Sequence, residues 1–99
     1  MVNPKLKDEL NDQLCNAVLK LETVEECYQF FEDICTISEL KAMSQRMTVA
    51  CLLKEGLCYN EIAEKTGAST ATISRVKRSL DYGNEGYDRV LERLAEKQA

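Results

Sequence analysis

The chain has 99 residues, of which 44% are hydrophobic and 30% charged, and this length and balance are typical of one folded domain. Its formal net charge of −4 argues against a protein that coats nucleic acid or anionic membranes through overall basicity. It contains no histidine, the commonest general base and zinc ligand, which leaves carboxylate, Tyr or Lys chemistry open, and we expect no catalytic residue, no metal and no other cofactor.

The first predicted helix begins with Asn3 as its N-cap and Pro4 in its first turn, and it ends near Leu21. Apolar residues recur at every third or fourth position along it, at Leu6, Leu10, Leu14, Val18 and Leu21. This spacing places them on one face of the helix, which is typical of a face that packs against other helices.

Five further helices are expected downstream. The capping-box sequences Thr23–Glu26 and Thr36–Glu39 predict a helix of about twelve residues and one of about eighteen that ends at Gly56. Two shorter helices follow, from about Tyr59 to Thr66 and from Ser69 to about Leu80. After a loop over residues 81–86, a last helix is predicted from about Glu85 to Glu96. The sequence therefore predicts an all-α fold.

Residues 59–78 form a helix-turn-helix pattern. Ala63 is small enough for two helix backbones to cross, and Gly67, four positions later, permits the positive φ of a sharp turn. Ser69 is a good N-cap for the second helix. The apolar residues expected to hold the two helices together are Ile62, Ala68, Ile73 and Val76.

The predicted second helix of this motif is suited to DNA. Small polar residues at its start allow close approach to base edges, and basic residues near its end suit phosphates or guanine. The expected exposed residues are Thr70, Ala71, Thr72, Ser74, Arg75, Lys77 and Arg78. Three bases and no acid lie between Thr66 and Leu80, whereas nine acids and one base lie between Asp8 and Glu39. These acids either repel the first half of the chain from DNA phosphates or simply form a solvated helical surface.

The segment Gly67-Ala68-x-x-Ala71-Thr72-Ile73-x-Arg75 resembles the Trp repressor family, and so does the third helix from Thr36 through Glu39 and Leu40 to Arg46. Within that superfamily the chain looks most like the Trp-repressor-related YerC/YecD group. The resemblance implies six helices and an intertwined homodimer on a palindromic operator, with recognition helices about 34 Å apart. It implies one domain over 1–99, with a dimerisation core at 1–56, the helix-turn-helix at 57–80 and a C-terminal helix at 85–99.

The resemblance also assigns residues. Tyr59 and Asn60 match family positions that contact the DNA backbone, and Ser69 completes the candidate DNA-binding set. A candidate effector pocket comprises Arg46, Arg75, Val76 and Ser79. Where the family has a glycine beside the indole of its ligand, this chain has Val76, so we expect DNA binding without tryptophan and leave any effector open. Arg46 alternatively forms a salt bridge or a phosphate contact.

The five cysteines are odd in number and include no Cys-x-x-Cys pair, which argues against a disulfide scaffold or a four-cysteine metal site. We interpret them as reduced, small apolar residues of a cytoplasmic protein. Cys58 replaces a serine of the family at the start of a helix, where it is a weaker cap. It is either a redox thiol or a partly buried residue, and we favour the second.

The start of the chain, Met1 to Lys5, does not resemble a signal peptide, and no apolar run approaches the ~20 residues of a membrane span. The sequence therefore predicts a DNA-binding transcriptional repressor that acts as a homodimer on double-stranded DNA, away from membranes. A helical protein-interaction module without DNA binding is the alternative, and an enzyme is disfavoured.

Overall fold

Six helices account for most of the structure, a computed structural model that describes residues 2–98. They are α1 (Glu9–Val18), α2 (Val24–Ile34), α3 (Ile37–Lys54), α4 (Tyr59–Thr66), α5 (Thr70–Tyr82) and α6 (Gly86–Gln98). No strand occurs between residues 2 and 98, so the all-α, six-helix prediction is confirmed. Within the same range no helix is both long and apolar enough to cross a bilayer.

The chain divides into two compact units, residues 1–40 and 41–99. The first unit contains α1, α2 and the first turn of α3, and the second contains the rest of α3 with α4, α5 and α6. The single-domain assignment and its three-part division at 1–56, 57–80 and 85–99 stay predictions.

The predicted start and end of the first helix are wrong. Asp8, not Asn3, is the N-cap of α1, and its carboxylate accepts a hydrogen bond from the Asn11 backbone N–H at 2.7 Å. Asn3 instead accepts from the N–H of Lys5 at 3.0 Å and closes a separate turn. The helix ends at Val18, before the predicted end, and Leu21 lies in a turn in which its N–H donates to the Val18 carbonyl at 3.1 Å. At the start, the Asp8 cap therefore takes the place of the predicted Asn3 cap.

The two predicted capping boxes start α2 and α3. The Thr23 hydroxyl accepts from the Glu26 N–H at 3.0 Å, while the Glu26 carboxylate accepts from Glu22, one residue farther back than expected. Thr36 and Glu39 form the full reciprocal pair, at 2.8 and 3.1 Å. The hydrogen bond from the Thr36 N–H lowers the pKa of the Glu39 carboxyl below its ordinary value of 4.5.

Between residues 2 and 40 no residue is buried, although the segment is rich in large apolar side chains. Those more than one-third exposed are Val2, Leu6, Leu10, Leu14, Val18, Leu19, Val24, Tyr28, Ile34 and Ile37. An apolar surface of this extent is uncommon on a monomeric soluble protein and is typical of a surface that a partner covers.

The second unit has a continuous apolar core. It consists of Val49 and Ala50 from α3, Ile62 from α4, Ala68 from the turn, and Ile73 and Val76 from α5. Tyr87 and Leu91 of α6 pack against this cluster. Lys54 and Asp88 form a 2.7 Å ion pair that joins the end of α3 to the first turn of α6. The core thus fixes α5 against α3 and α4.

Candidate nucleic-acid interface

The turn between α4 and α5 has the predicted conformation. Gly67 ends α4 with φ +73°, and its N–H donates to the Ala63 carbonyl at 2.8 Å. A Cβ at this position would meet nothing within 4 Å, so glycine is needed for its backbone conformation rather than for space. All four apolar residues predicted to hold the motif together are buried, namely Ile62, Ala68, Ile73 and Val76.

Ser69 caps α5 as predicted. Its Oγ accepts from the Thr72 N–H at 3.1 Å and lies 3.1 Å from the Thr72 Oγ1, to which it donates. The hydroxyls of both residues are therefore already engaged within the first turn of the helix. They can face DNA only by accepting or donating a further hydrogen bond.

Thr72, which was expected to be exposed, is half-buried, and the solvent-facing side of α5 carries the remaining candidates. Thr70, Ser74 and Arg78 are spaced four residues apart and form a row along the exposed surface. Ala71, Arg75 and Lys77 are also exposed beside this row. Since Ile73 and Val76 occupy the opposite face, the row of Thr70, Ser74 and Arg78 lies away from the core.

Asp81 is a residue of the candidate interface that the sequence reasoning missed. The helix runs two residues beyond the predicted end at Leu80, and this brings Asp81 into the last turn of α5. Its carboxylate lies 3.2 Å from the Lys77 ammonium, one helical turn earlier. One of the three cations of the interface is therefore paired with an acid on the same helix. The i, i+4 spacing from Lys77 is the signal that could have identified the pair.

The start of α4 presents the other two candidates differently. Asn60 is exposed, whereas Tyr59 is half-buried and packs against the core. The Cys58 backbone N–H donates to the Glu61 carboxylate at 3.1 Å. This hydrogen bond is the main cause that lowers the pKa of the Glu61 carboxyl below its ordinary value of 4.5. Glu61 thus stabilises the start of α4, where the N-cap residue is Cys58.

The favoured expectation for Cys58 is wrong, because its side chain is exposed rather than partly buried. Cys15 is exposed as well, and the other three cysteines are half-buried, so the set is less apolar in environment than expected. All five thiols are free. No group of three or more potential metal ligands is found among the described residues.

The four residues of the candidate effector pocket lie together. They line a cavity of about 260 Å³ with a fifth residue, Tyr87, which the sequence reasoning missed. Val76 itself is only 1% exposed and belongs to the core. A second cavity, of about 480 Å³, shares Ser79 and Tyr87 and is also lined by Met47 and Val90. Tyr87 could have been suspected from its place on the apolar face of the last helix.

Comparison with known proteins identifies the family. The family described as Trp repressor protein matches residues 9–95. The chain belongs to the Trp repressor family. Family membership indicates a DNA-binding regulator, and the family is regulatory rather than enzymatic.

Two relatives refine this placement. The chain is 53% identical over 92 residues to the uncharacterized protein YerC of Bacillus subtilis (strain 168). This match covers 93% of this chain and 88% of YerC. It is 38% identical over 69 residues to a Trp operon repressor homolog of Chlamydia caviae, over 69% of this chain and 65% of that protein. The similarity to YerC supports membership of the YerC group within the Trp repressor family.

Two solved structures have the same fold. A TrpR-like protein from Eubacterium eligens ATCC 27750 superposes with a TM-score of 0.91 at 60% identity, over 94% of this chain and 96% of that one. A crystal structure of a protein from Staphylococcus aureus superposes with a TM-score of 0.91 at 50% identity, over 96% of this chain and 95% of that one. The TrpR-like fold predicted from the sequence is therefore confirmed.

Proposed function

We propose that this Trp repressor family member is a sequence-specific transcriptional repressor that binds a palindromic operator as a homodimer in the cytoplasm. The observation that carries the proposal is the exposed surface of α5. It presents small polar residues at the start of a recognition helix and Arg75, Lys77 and Arg78 towards its end, on a helix whose other face is buried. This arrangement suits a helix that enters the major groove.

The homodimer is supported by the first unit. Its apolar side chains are exposed along α1 and α2, and Leu10 alone is 76% exposed. Burying such a surface against a second copy stabilises the dimer, because removing apolar area from water is favourable by ~25 cal/mol per Å². A two-fold pair also doubles the number of contacts to DNA and accounts for a palindromic site.

Independence from tryptophan is the finer part of the proposal. Val76 occupies the position at which the family has a glycine, and it lines the arginine-containing cavity while packing in the core. A branched side chain at this wall leaves less room for a planar ring. Calorimetry with tryptophan should therefore detect no binding. Micromolar binding that disappears in Arg75→Ala would contradict this part of the proposal and leave the DNA-binding part intact.

Selection from a random double-stranded DNA library tests the main proposal. The purified chain should enrich a pseudo-palindrome with half-site centres about one helical turn apart. In a mobility-shift assay the double variant Arg75→Glu and Lys77→Glu should lose binding to the selected site. Lys5→Glu with Lys20→Glu is the matched control, since it makes the same change in net charge at two exposed residues of the first unit.

The competing function is a helical protein-interaction module. It would be favoured by the absence of any enriched sequence, or by binding that the reversal of Arg75 and Lys77 leaves unchanged. The exposed apolar surface of the first unit would then be the functional surface, and the helix-turn-helix would serve only for packing.

A further inference from the structure

One hydrogen bond ties the helix-turn-helix to the helix that precedes it. The Gln45 side-chain Nε2 on α3 donates to the Thr66 backbone carbonyl at 3.1 Å, and both residues are half-buried. Apart from the Lys54–Asp88 ion pair, this is the only polar side-chain contact between described residues that links positions more than five apart. It is thus the only such contact that joins the motif to another helix of the chain.

Thr66 is well placed to transmit this restraint. It is the last residue of α4, where carbonyl groups lack partners within the helix, and Gln45 supplies the missing donor. Its hydroxyl donates to the Ile62 carbonyl at 2.7 Å and accepts from the Ala68 N–H at 3.1 Å. Thr66 therefore contacts α3, α4 and the turn that leads into α5.

We propose that Gln45 is a positioning residue for DNA recognition, which fixes the recognition helix through Thr66 and the turn. This inference rests on the proposed function. Packing of Ala68 in the core also holds the turn, but Gln45 gives it its only side-chain hydrogen bond from another described helix. Ala68 is followed at once by the Ser69 cap, so any movement at residue 66 changes the direction in which α5 begins. A recognition helix that samples several directions occupies its binding-competent one for less of the time, and this weakens the apparent affinity.

Gln45→Met tests the proposal, because methionine has a similar length but no N–H donor. The variant should bind the selected operator about five- to thirtyfold more weakly, the effect of losing one hydrogen bond of ordinary net strength in each of two protomers. Its affinity for unrelated DNA and the salt dependence of its binding should not change, since Gln45 carries no charge. A merely structural loss of folded protein would lower both affinities together.

Gln29→Met is the matched control, since Gln29 is exposed on α2 and its side chain makes no hydrogen bond with any described residue. Thr66→Val provides a second variant, because it keeps the carbonyl that accepts from Gln45 but removes the hydroxyl that links Thr66 to Ala68 of the turn. Circular dichroism at the assay temperature establishes that each variant is folded. The double variant should lose less affinity than the product of the single losses, because both changes release the same turn.

Three outcomes separate the possibilities. A fall in operator affinity alone supports the inference. Equal binding by wild type and Gln45→Met, or equal loss on operator and unrelated DNA, overturns it and leaves the proposed function standing. If the wild-type chain selects no DNA sequence, the proposed function fails and this inference fails with it.

Discussion

Neutralising Asp81 should strengthen DNA binding. Asp81 lies on α5, the proposed recognition helix, 3.2 Å from Lys77, and both side chains are close to half exposed, at 41% and 49%. On DNA the ammonium of Lys77 is attracted to phosphate, and the carboxylate of Asp81 competes with that phosphate. Asp81→Asn removes the competitor and the like-charge repulsion together.

The size of the effect follows from the exposure of the pair. An exposed ion pair of this kind contributes about 0.5 kcal/mol, since solvent screens it. Two recognition helices per dimer give about 1 kcal/mol, which corresponds to about fivefold tighter binding. The salt dependence gives a second quantity. With Lys77 paired, about two cations per chain are free for phosphates and the slope of log K against log salt is about −3.6. With Lys77 released the slope is about −5.4.

Fluorescence anisotropy of the labelled operator between ~0.05 and ~0.2 M salt measures both quantities. Asp33→Asn, on α2, is the control because it changes the net charge by the same amount at another exposed acid. Unchanged affinity and slope in Asp81→Asn would refute the competition between Asp81 and phosphate. Weaker binding would indicate instead that Asp81 accepts a hydrogen bond from a base. A wild-type slope equivalent to eight or more phosphates per dimer would refute the count of cations.

Three further outcomes are expected. Leu10→Glu places a charge on the exposed apolar surface of the first unit and should convert the proposed dimer to a monomer. Sedimentation measures this change, and a stable dimer would argue against this surface as the interface. Gly67→Ala should lower the free energy of unfolding by about 1 kcal/mol in urea titration, with Gly67→Asn milder, because the cost is the positive φ and not a clash; equal stability of all three would contradict this. The folded-state pKa of the Glu61 carboxyl is lowered, so its stabilising effect is present above pH 4.5 and is lost as the pH falls through the lower folded-state value. Wild type should therefore lose more stability than Glu61→Gln between pH 7 and acid pH, and a larger loss in the variant would exclude this role.

The helix-turn-helix was predictable because its signals are local. A glycine with positive φ, a serine cap and apolar residues at helical spacing all lie within twenty positions and act on their immediate neighbours. The same local logic failed at the start of the first helix, where Asn3 and Asp8 are both good caps. Nothing in the sequence alone decides between two caps five residues apart.

The parts that were not predicted depend on where helices end and on contacts between them. Asp81 was not predicted as part of the interface because α5 was expected to end at Leu80, one residue before it. Tyr87 and Gln45 were missed for another reason: each acts on residues from a different helix, and such pairs leave no periodic pattern in the sequence. Gln45, for example, contacts a carbonyl 21 positions away.

The absence of any buried residue between positions 2 and 40 has a consequence for regulation. In the proposed homodimer, α1 and α2, which contain no fully buried residue within their own chain, are stabilised when a second copy covers them, so folding of this segment is coupled to association. At low abundance the amount of dimer then rises with the square of the amount of chain, and doubling synthesis gives about four times as much dimer. Occupancy of an operator would therefore depend more steeply on expression of this protein than it would for a monomeric regulator.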